Sequence, residues 1–264
     1  MAAPIIVRDR RFRPESDGQR WWLGSDPFAS AVMNALSISF PRGEAYFIES
    51  VRAFRDEAAG PLAEQIRAFI AQEVNHSREH LAFNRAMAQA GYETGHLDAA
   101  MEAVMNEARG RSPLVSLAAT MALEHFTAML AHELLSRKEL LAGAHPEQAG
   151  LWRWHAVEEI EHKAVAYDTF LHVTRDWPRF RRWKLKTIMM LIASRKFLTM
   201  RYRAAMDLLR QDGITGWRAR AGILRYAFVK PGLLRRIAPH WIAYFLPGFH
   251  PWNRDDRYLI ANQD

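Results

Sequence analysis

The amino-acid sequence predicts an all-α protein, and three observations carry that expectation. Prolines are few, 12 in 264 residues, while alanine and leucine are plentiful and alternating runs of β-branched residues are scarce. Apolar residues recur at steps of three and four through several long segments, the signature of helices with one buried face. Four of those apolar stripes each contain a carboxylate, which links the segments to one another. An apolar fraction of 49% and a charged fraction of 25% suit a globular chain that buries a sizeable core. The absence of cysteine excludes disulfides, zinc–thiolate sites and thiol nucleophiles.

Taken in order, residues 1–25 are polar and arginine-rich and read as an N-terminal arm without firm structure. The first helix is expected near "SFPRGEAYFIESVRAFRDEA", with Pro41 close to its first turn, where a missing N–H costs little. Phe40, Glu44, Phe47, Ile48, Val51 and Phe54 share one face, and Gly60-Pro61 breaks the pattern. The second helix spans about 61–89, with Ile66, Phe69, Ile70, Glu73, His80, Phe83 and Met87 on the 3.6-residue period and Gly91 beyond its end. A short helix in "LDAAMEAVMNEARG" precedes a third long one over about 112–141, then a fourth over about 146–174. Further helices are expected over about 178–211, 214–228 and 232–238. The simplest organisation is a bundle over 26–175 with a basic helical C-terminal extension, 176–264, packed on it.

A buried ionised glutamate costs several kcal/mol unless it is paired or bound to a cation. Glu44, Glu73, Glu124 and either Glu158 or Glu159 fall inside apolar stripes, one per long helix, and four such residues call for one shared explanation. Glu73-Val-Asn-His76 and Glu159-Ile-Glu-His162 also set a histidine one turn after the glutamate, so that each pair converges on one point. A glutamate from each of two helices and a Glu-x-x-His from each of the other two is the donor set of four-helix bundles that hold two iron or manganese ions. The 48 residues between His76 and Glu124, against 29 and 35 for the other intervals, put a long crossover after the second helix, as in ferritin-like bundles.

Glu44, Glu73-x-x-His76, Glu124 and Glu159-x-x-His162 resemble the ligands of the ferritin-like non-haem di-iron oxidases and oxygenases. With His155 the fourth stretch reads His-x-x-x-Glu-x-x-His, similar to the p-aminobenzoate N-oxygenase type, in which a third histidine joins one iron. "SFPRGEAYF", "EVNHSREH", "LEHFTA", "HAVEEIEHKA" and "PGFHPW" together resemble a bacterial family of predicted metal-dependent hydrolases. The resemblance implies two Fe ions, with Mn or a mixed Mn/Fe pair as the other options. Glu44, Glu73 and His76 are expected on one ion and His155, Glu159 and His162 on the other, with Glu73 or Glu124 bridging. The implied activity is an O2-dependent oxidase or oxygenase with a small, apolar or lipid-like substrate and a separate electron donor. The alternatives are a metal-dependent hydrolase with a two-metal site, and a non-enzymatic membrane-surface or metal-storage protein.

Nearby residues read differently. Glu158 lies four before His162 and competes with Glu159, which is preferred because it matches Glu73-x-x-His76. His80 stacks one turn beyond His76, where orienting a ligand or serving as a further one is open to it without being assigned, while His125 is expected at the surface or in packing, and Glu79 and Glu161 on a solvated face. From Arg175 to Arg236 there are 17 Lys and Arg against three Asp, so the rest of the chain is acidic although the whole carries +7. This charge, beside Trp183, Ile188, Leu191 and Trp241, points to an anionic membrane surface as a partner, and a homodimer is the other association considered. Nucleic acid is not expected, since no recognised motif accompanies the charge. The N-terminus lacks the apolar segment of a signal peptide, and "TIMMLIAS" and "WIAYFLPGF" are too short to span a bilayer. A cytoplasmic protein, peripheral at the inner membrane, is the expectation.

Overall fold

Asp26 starts the first helix, α1 (Pro27–Arg52), by accepting hydrogen bonds from the backbone N–H groups of Phe28 and Ala29. The structure is a computed structural model that describes residues 4–13 and 19–261. Helix α1 therefore begins about a dozen residues before the stretch expected from the sequence, and Pro41 lies inside it rather than in its first turn. An interior proline leaves the carbonyl four residues earlier without its helical donor. Here that carbonyl is Ser37 O, and Asn84 of the neighbouring helix supplies the missing donor through Nδ2, at 3.1 Å.

The second helix, α2 (Gly60–Gln89), matches the expected span. A shorter α3 (Gly95–Arg109) leads into α4 (Pro113–Ser136), which stops five residues earlier than expected and passes into a short 3-10 turn, Lys138–Leu141. The expected fourth helix is two, α5 (Pro146–His162) and α6 (Val165–Val173). The interruption coincides with Lys163, whose buried ammonium reaches Asp256 and the Arg254 carbonyl in the C-terminal tail. The basic third forms α7 (Arg179–Gln211), α8 (Gly216–Phe228) and α9 (Leu233–Ala243), with a last turn, α10 (Arg257–Ala261). Among the described residues there is no strand, so the chain is all-α.

Helix α1 packs on α2 and α4, and α5 packs on both α2 and α4, so the four carboxylate-bearing helices contact one another in a closed circuit. Facing residues give the sense of one pair. Phe69 lies against His162, His76 against Trp154 and Phe83 against Trp152, so α2 and α5 run antiparallel. Helix α7 packs on α1 and α4, α8 on α1, and α9 on α4. The α1–α8 approach is close enough that a Cβ on Gly222 would fall 2.0 Å from the Phe28 ring. Helix α4 has the length and composition of a membrane span, with a mean hydropathy of 1.4, unlike the two shorter stretches singled out from the sequence. Most of it is buried inside the molecule, where a helix apolar all round belongs.

The predicted arm is ordered where it is described. Residues 4–13 run as extended chain across α2 and α5, and residues 1–3 and 14–18 lie outside the described residues. The Ile6, Arg8 and Phe12 amides donate to Glu161, Glu158 and Glu79, and the Phe12 ring sits 5.5 Å from that of Trp154.

Replacing Asn84 by Leu removes the donor for the Ser37 carbonyl, and is expected to lower stability by about 1–3 kcal/mol. Adding Pro41→Ala restores a backbone N–H for that carbonyl, so the double variant should recover most of the loss in chemical denaturation. Equal losses in the single and double variants would contradict this account.

Candidate metal centre

The structure brings the four carboxylates singled out in the sequence close together. Glu44 of α1, Glu73 of α2, Glu124 of α4 and Glu159 of α5 are all buried, with the His76, His155 and His162 imidazoles among them. Their donor atoms form two triads, Glu44–His76–His155 and Glu73–Glu159–His162, each with atoms within 4.8 Å of one another. Glu159 Oε1 joins the triads, at 2.9 Å from His155 Nε2 and 3.5 Å from both His76 Nδ1 and His162 Nε2. Glu124 Oε2 approaches His162 Nε2 at 3.4 Å.

The grouping differs from that expected in sequence. His155 stands with Glu44 and His76, whereas Glu73 stands with Glu159 and His162, so these two residues exchange places. The antiparallel run of α2 and α5 causes this. It stacks His155 on His76, ring centroids 4.1 Å apart, and brings Glu73 Oε1 to 3.2 Å from His162 Nε2. The choice between adjacent glutamates also resolves geometrically. Glu159 turns inward to three imidazoles, while Glu158 lies on the far side of His76, bonded to its Nε2 at 3.1 Å, to Trp154 Nε1 and to the Arg8 amide.

Each imidazole has one nitrogen held by the protein and the other turned to the centre. His76 gives Nε2 to Glu158, and His162 gives Nδ1 to Gln72 Oε1 at 2.9 Å, leaving His76 Nδ1 and His162 Nε2 facing inward. For His155 the assignment follows from counting donors along a chain that begins at Pro41. Because Asn84 Nδ2 donates to the Ser37 carbonyl, Asn84 Oδ1 must accept from the Ser37 hydroxyl, at 2.7 Å. That hydroxyl then accepts from His80 Nδ1–H at 2.9 Å, so His80 Nε2 carries a lone pair and accepts from His155 Nδ1–H at 2.6 Å. His155 Nε2 is then the nitrogen that faces Glu159 Oε1, at 2.9 Å, where a divalent cation can take the place of the hydrogen bond between them. Orienting a ligand imidazole through its second nitrogen is how proteins fix its tautomer, and His80 stands in that position to His155.

Eight buried donor atoms of these residues have no hydrogen-bond partner: Glu44 Oε1, both oxygens of Glu73 and of Glu124, Glu159 Oε2, His76 Nδ1 and His162 Nε2. Buried polar atoms are normally satisfied, and so many orphans around one point fit divalent cations. Electrostatics agrees. Burial, then the neighbouring carboxylates, pushes Glu73 well above the usual carboxylate range, and burial does the same to Glu44. Burial and Glu159 raise Glu124 to about 7. Burial opposes the charge on Glu159 too, but His162 and His155 outweigh it and hold that carboxyl well below its ordinary value. His162 rises correspondingly, since Glu159 and Glu124 overcome its burial.

Several residues around the centre are corrections to the sequence reading. Glu79 and Glu161, expected on a solvated face, are buried beneath the arm, where Glu161 binds the Arg8 guanidinium at 2.8 Å and Gln72 Nε2 at 2.9 Å. Ser37, Asn84 and Gln72 were not singled out, because helical periodicity is blind to partners on other helices. His125 packs away from the centre, as expected, with its ring donating to the His240 carbonyl.

A cavity of about 50 Å³ reaches His155 and Glu159 from between α1, α4 and α5. Its wall is almost wholly apolar, including Phe40, Leu36, Leu130, Ala131 and Trp152, with Thr127 as one hydroxyl. Tyr226 and Leu233 from the basic third complete it.

Without metal, raised carboxyls and a raised His162 all bind protons more tightly in the folded than in the unfolded chain. Their favourable contribution is present at acidic pH and is lost as pH rises through the folded values. Above about pH 6.5 the lowered His76 and His80 no longer oppose this trend. The chelator-treated protein is therefore expected to lose thermal stability from pH 6.5 to 8, and added divalent metal should flatten that slope. A metal-free melting temperature that rises over this interval would contradict the arrangement.

No curated protein and no solved structure matches the chain. A family model described as "Predicted metal-dependent hydrolase" matches residues 6–255, from the arm that covers α5 to the tail that holds Lys163. With nearly the whole chain matched, this protein belongs to the family of predicted metal-dependent hydrolases.

Proposed function

We propose that the chain is a two-metal hydrolase acting on a substrate with an apolar chain. The observation that carries this reading is the pair of buried triads joined through Glu159 Oε1, with eight donor atoms that have no other partner. Glu44, His76 and His155 would hold one divalent ion and Glu73, Glu159 and His162 the second, with Glu124 beside the second. Such ions, when bound, polarise a carbonyl or phosphoryl oxygen and make water a nucleophile near neutral pH. The chain's own part is separate from that chemistry. Glu158, Gln72 and His80 hold the three imidazoles in their tautomers, and Ser77 holds Glu44 through Oε2 at 2.8 Å. The cavity walls exclude water and present an apolar chain toward His155 and Glu159, with the Thr127 hydroxyl as the polar contact. The family description supports hydrolysis as the reaction.

A second reading, O2-dependent oxidation with two Fe ions or with Mn in the pair, is favoured by specific features. The donors are carboxylate oxygens and imidazole nitrogens, without sulfur, a set that suits iron and manganese. The cavity wall offers no Lys or Arg to a polar leaving group. This reading needs an external electron donor.

Metal analysis is expected to find two ions per chain, and Glu73→Ala with His162→Ala to remove the ion of the Glu73–Glu159–His162 triad. Unchanged metal content in that variant would refute the site. Anaerobic cleavage of p-nitrophenyl acyl esters, faster with longer chains, supports hydrolysis. O2 consumption by the Fe(II)-loaded protein without ester cleavage supports oxidation instead. Leu130→Trp, which fills the cavity, should slow turnover of long-chain substrate about tenfold with metal content intact.

We also propose that the basic third docks on an anionic bilayer at the cytoplasmic face of the inner membrane. Large apolar side chains stand in water on α7 and α8, Phe180 at 70% and Trp217 at 82% exposure, among the arginines of both helices. Vesicles rich in phosphatidylglycerol should retain the protein at low salt and release it at high salt. No retention at low salt would contradict this docking.

A further inference from the structure

A second concave site lies between α3, α4 and α7 and shares no residue with either metal triad. It is a groove of about 250 Å³ whose walls include Met101, Met105, Met189, Met200 and Ala119. Methionines give such a wall the pliancy to fit a flexible chain. Arg201 lines the same groove.

Among the described residues Arg201 has no carboxylate partner. Its Nε is shut off from solvent without a hydrogen bond, one terminal nitrogen reaches the Met101 sulfur at 3.5 Å, and the guanidinium lies 5.4 Å from the centre of the Phe197 ring. The carboxylates of α3 are engaged by other cations: Asp98 and Glu102 with Arg42, and Glu107, which also lines the groove, with Lys196 and Arg111. Burial alone pushes the Arg201 guanidinium down to about 10, with no acidic group near enough to oppose it. A half-buried cation faced only by a ring and a thioether is weakly compensated in the free protein. It becomes favourable when a ligand brings an anion there with an apolar body, since a guanidinium forks two hydrogen bonds onto one carboxylate.

We infer that this groove binds a fatty-acid-like carboxylate, with the headgroup on Arg201 and the alkyl chain along the methionine wall. The site stands apart from the reaction proposed for the metal centre and does not depend on it. Lys196 and Arg111, at the groove but shared with Glu107, add positive potential without competing for the headgroup. The groove opens on α7, where Ile188, Leu191 and Ile192 are exposed, so an amphiphile reaches it along an apolar surface.

Calorimetric titration of the metal-loaded, full-length protein with dodecanoate, dodecanol and acetate tests the inference. Dodecanoate should bind once per chain, about tenfold or more tighter than dodecanol, with acetate weaker than both. Arg201→Met should weaken dodecanoate about 10- to 100-fold and leave dodecanol unchanged. The same variant should melt no lower than the parent without ligand, because the half-buried guanidinium it removes has no carboxylate partner among the described residues. Ala119→Phe, which fills the groove, should weaken dodecanoate and dodecanol alike. Dodecanol binding as tightly as dodecanoate would overturn the assignment. So would dodecanoate binding that neither variant alters, which would place the ligand elsewhere on the molecule.

Discussion

Four carboxylates buried at one point are the constraint on which the rest of this structure depends. Glu44, Glu73, Glu124 and Glu159 come from four helices and are nearly or wholly removed from solvent. Mutual repulsion and lost hydration would each cost several kcal/mol if they stayed ionised and unaccompanied. Protonation relieves part of this in the metal-free chain, as the raised Glu44, Glu73 and Glu124 indicate. Divalent cations relieve it more fully, and they explain why the carboxylates sit inside apolar stripes.

Much of the surrounding fold serves to hold that point. Pro41 leaves a carbonyl free on α1, Asn84 binds it, and the resulting run through Ser37 and His80 sets which nitrogen of His155 faces inward. Gln72 does the same for His162 and also links to Glu161 and the Ile6 carbonyl of the arm. The arm thus couples the N-terminus to the histidines through Glu158 and Glu161. These contacts tie helix geometry to imidazole chemistry, so a substitution at Ser37 or Ile6 can disturb a metal ligand that it never touches.

The all-α class and the convergence of seven acidic and histidine side chains were legible in the sequence, because both rest on the 3.6-residue period. Glu44 and Glu124 stood out only as polar interruptions of apolar stripes, yet that signal sufficed. The true start of α1 was not legible, since an interior proline looks like a helix start until its freed carbonyl is seen to meet Asn84. The pairing of Glu73 with His162 rather than His76 depended on the antiparallel sense of α2 and α5, which spacing within one helix does not contain. Glu79 and Glu161 looked solvated because the arm that covers them, through Ile6, Arg8 and Phe12, is distant in sequence. Arg201 was hidden in a basic segment: Lys196 and Arg210 of the same helix have carboxylate partners, and among the described residues Arg201 has none.

The most direct test of the central claim is X-ray absorption at the metal edge of the protein purified from its own host. Two ions held by these triads predict only oxygen and nitrogen donors in the first coordination sphere, and a metal–metal distance of about 3.5–4 Å. A spectrum with no metal–metal scattering, or a protein whose bound metal survives loss of Glu159 and His162 together, would contradict the account.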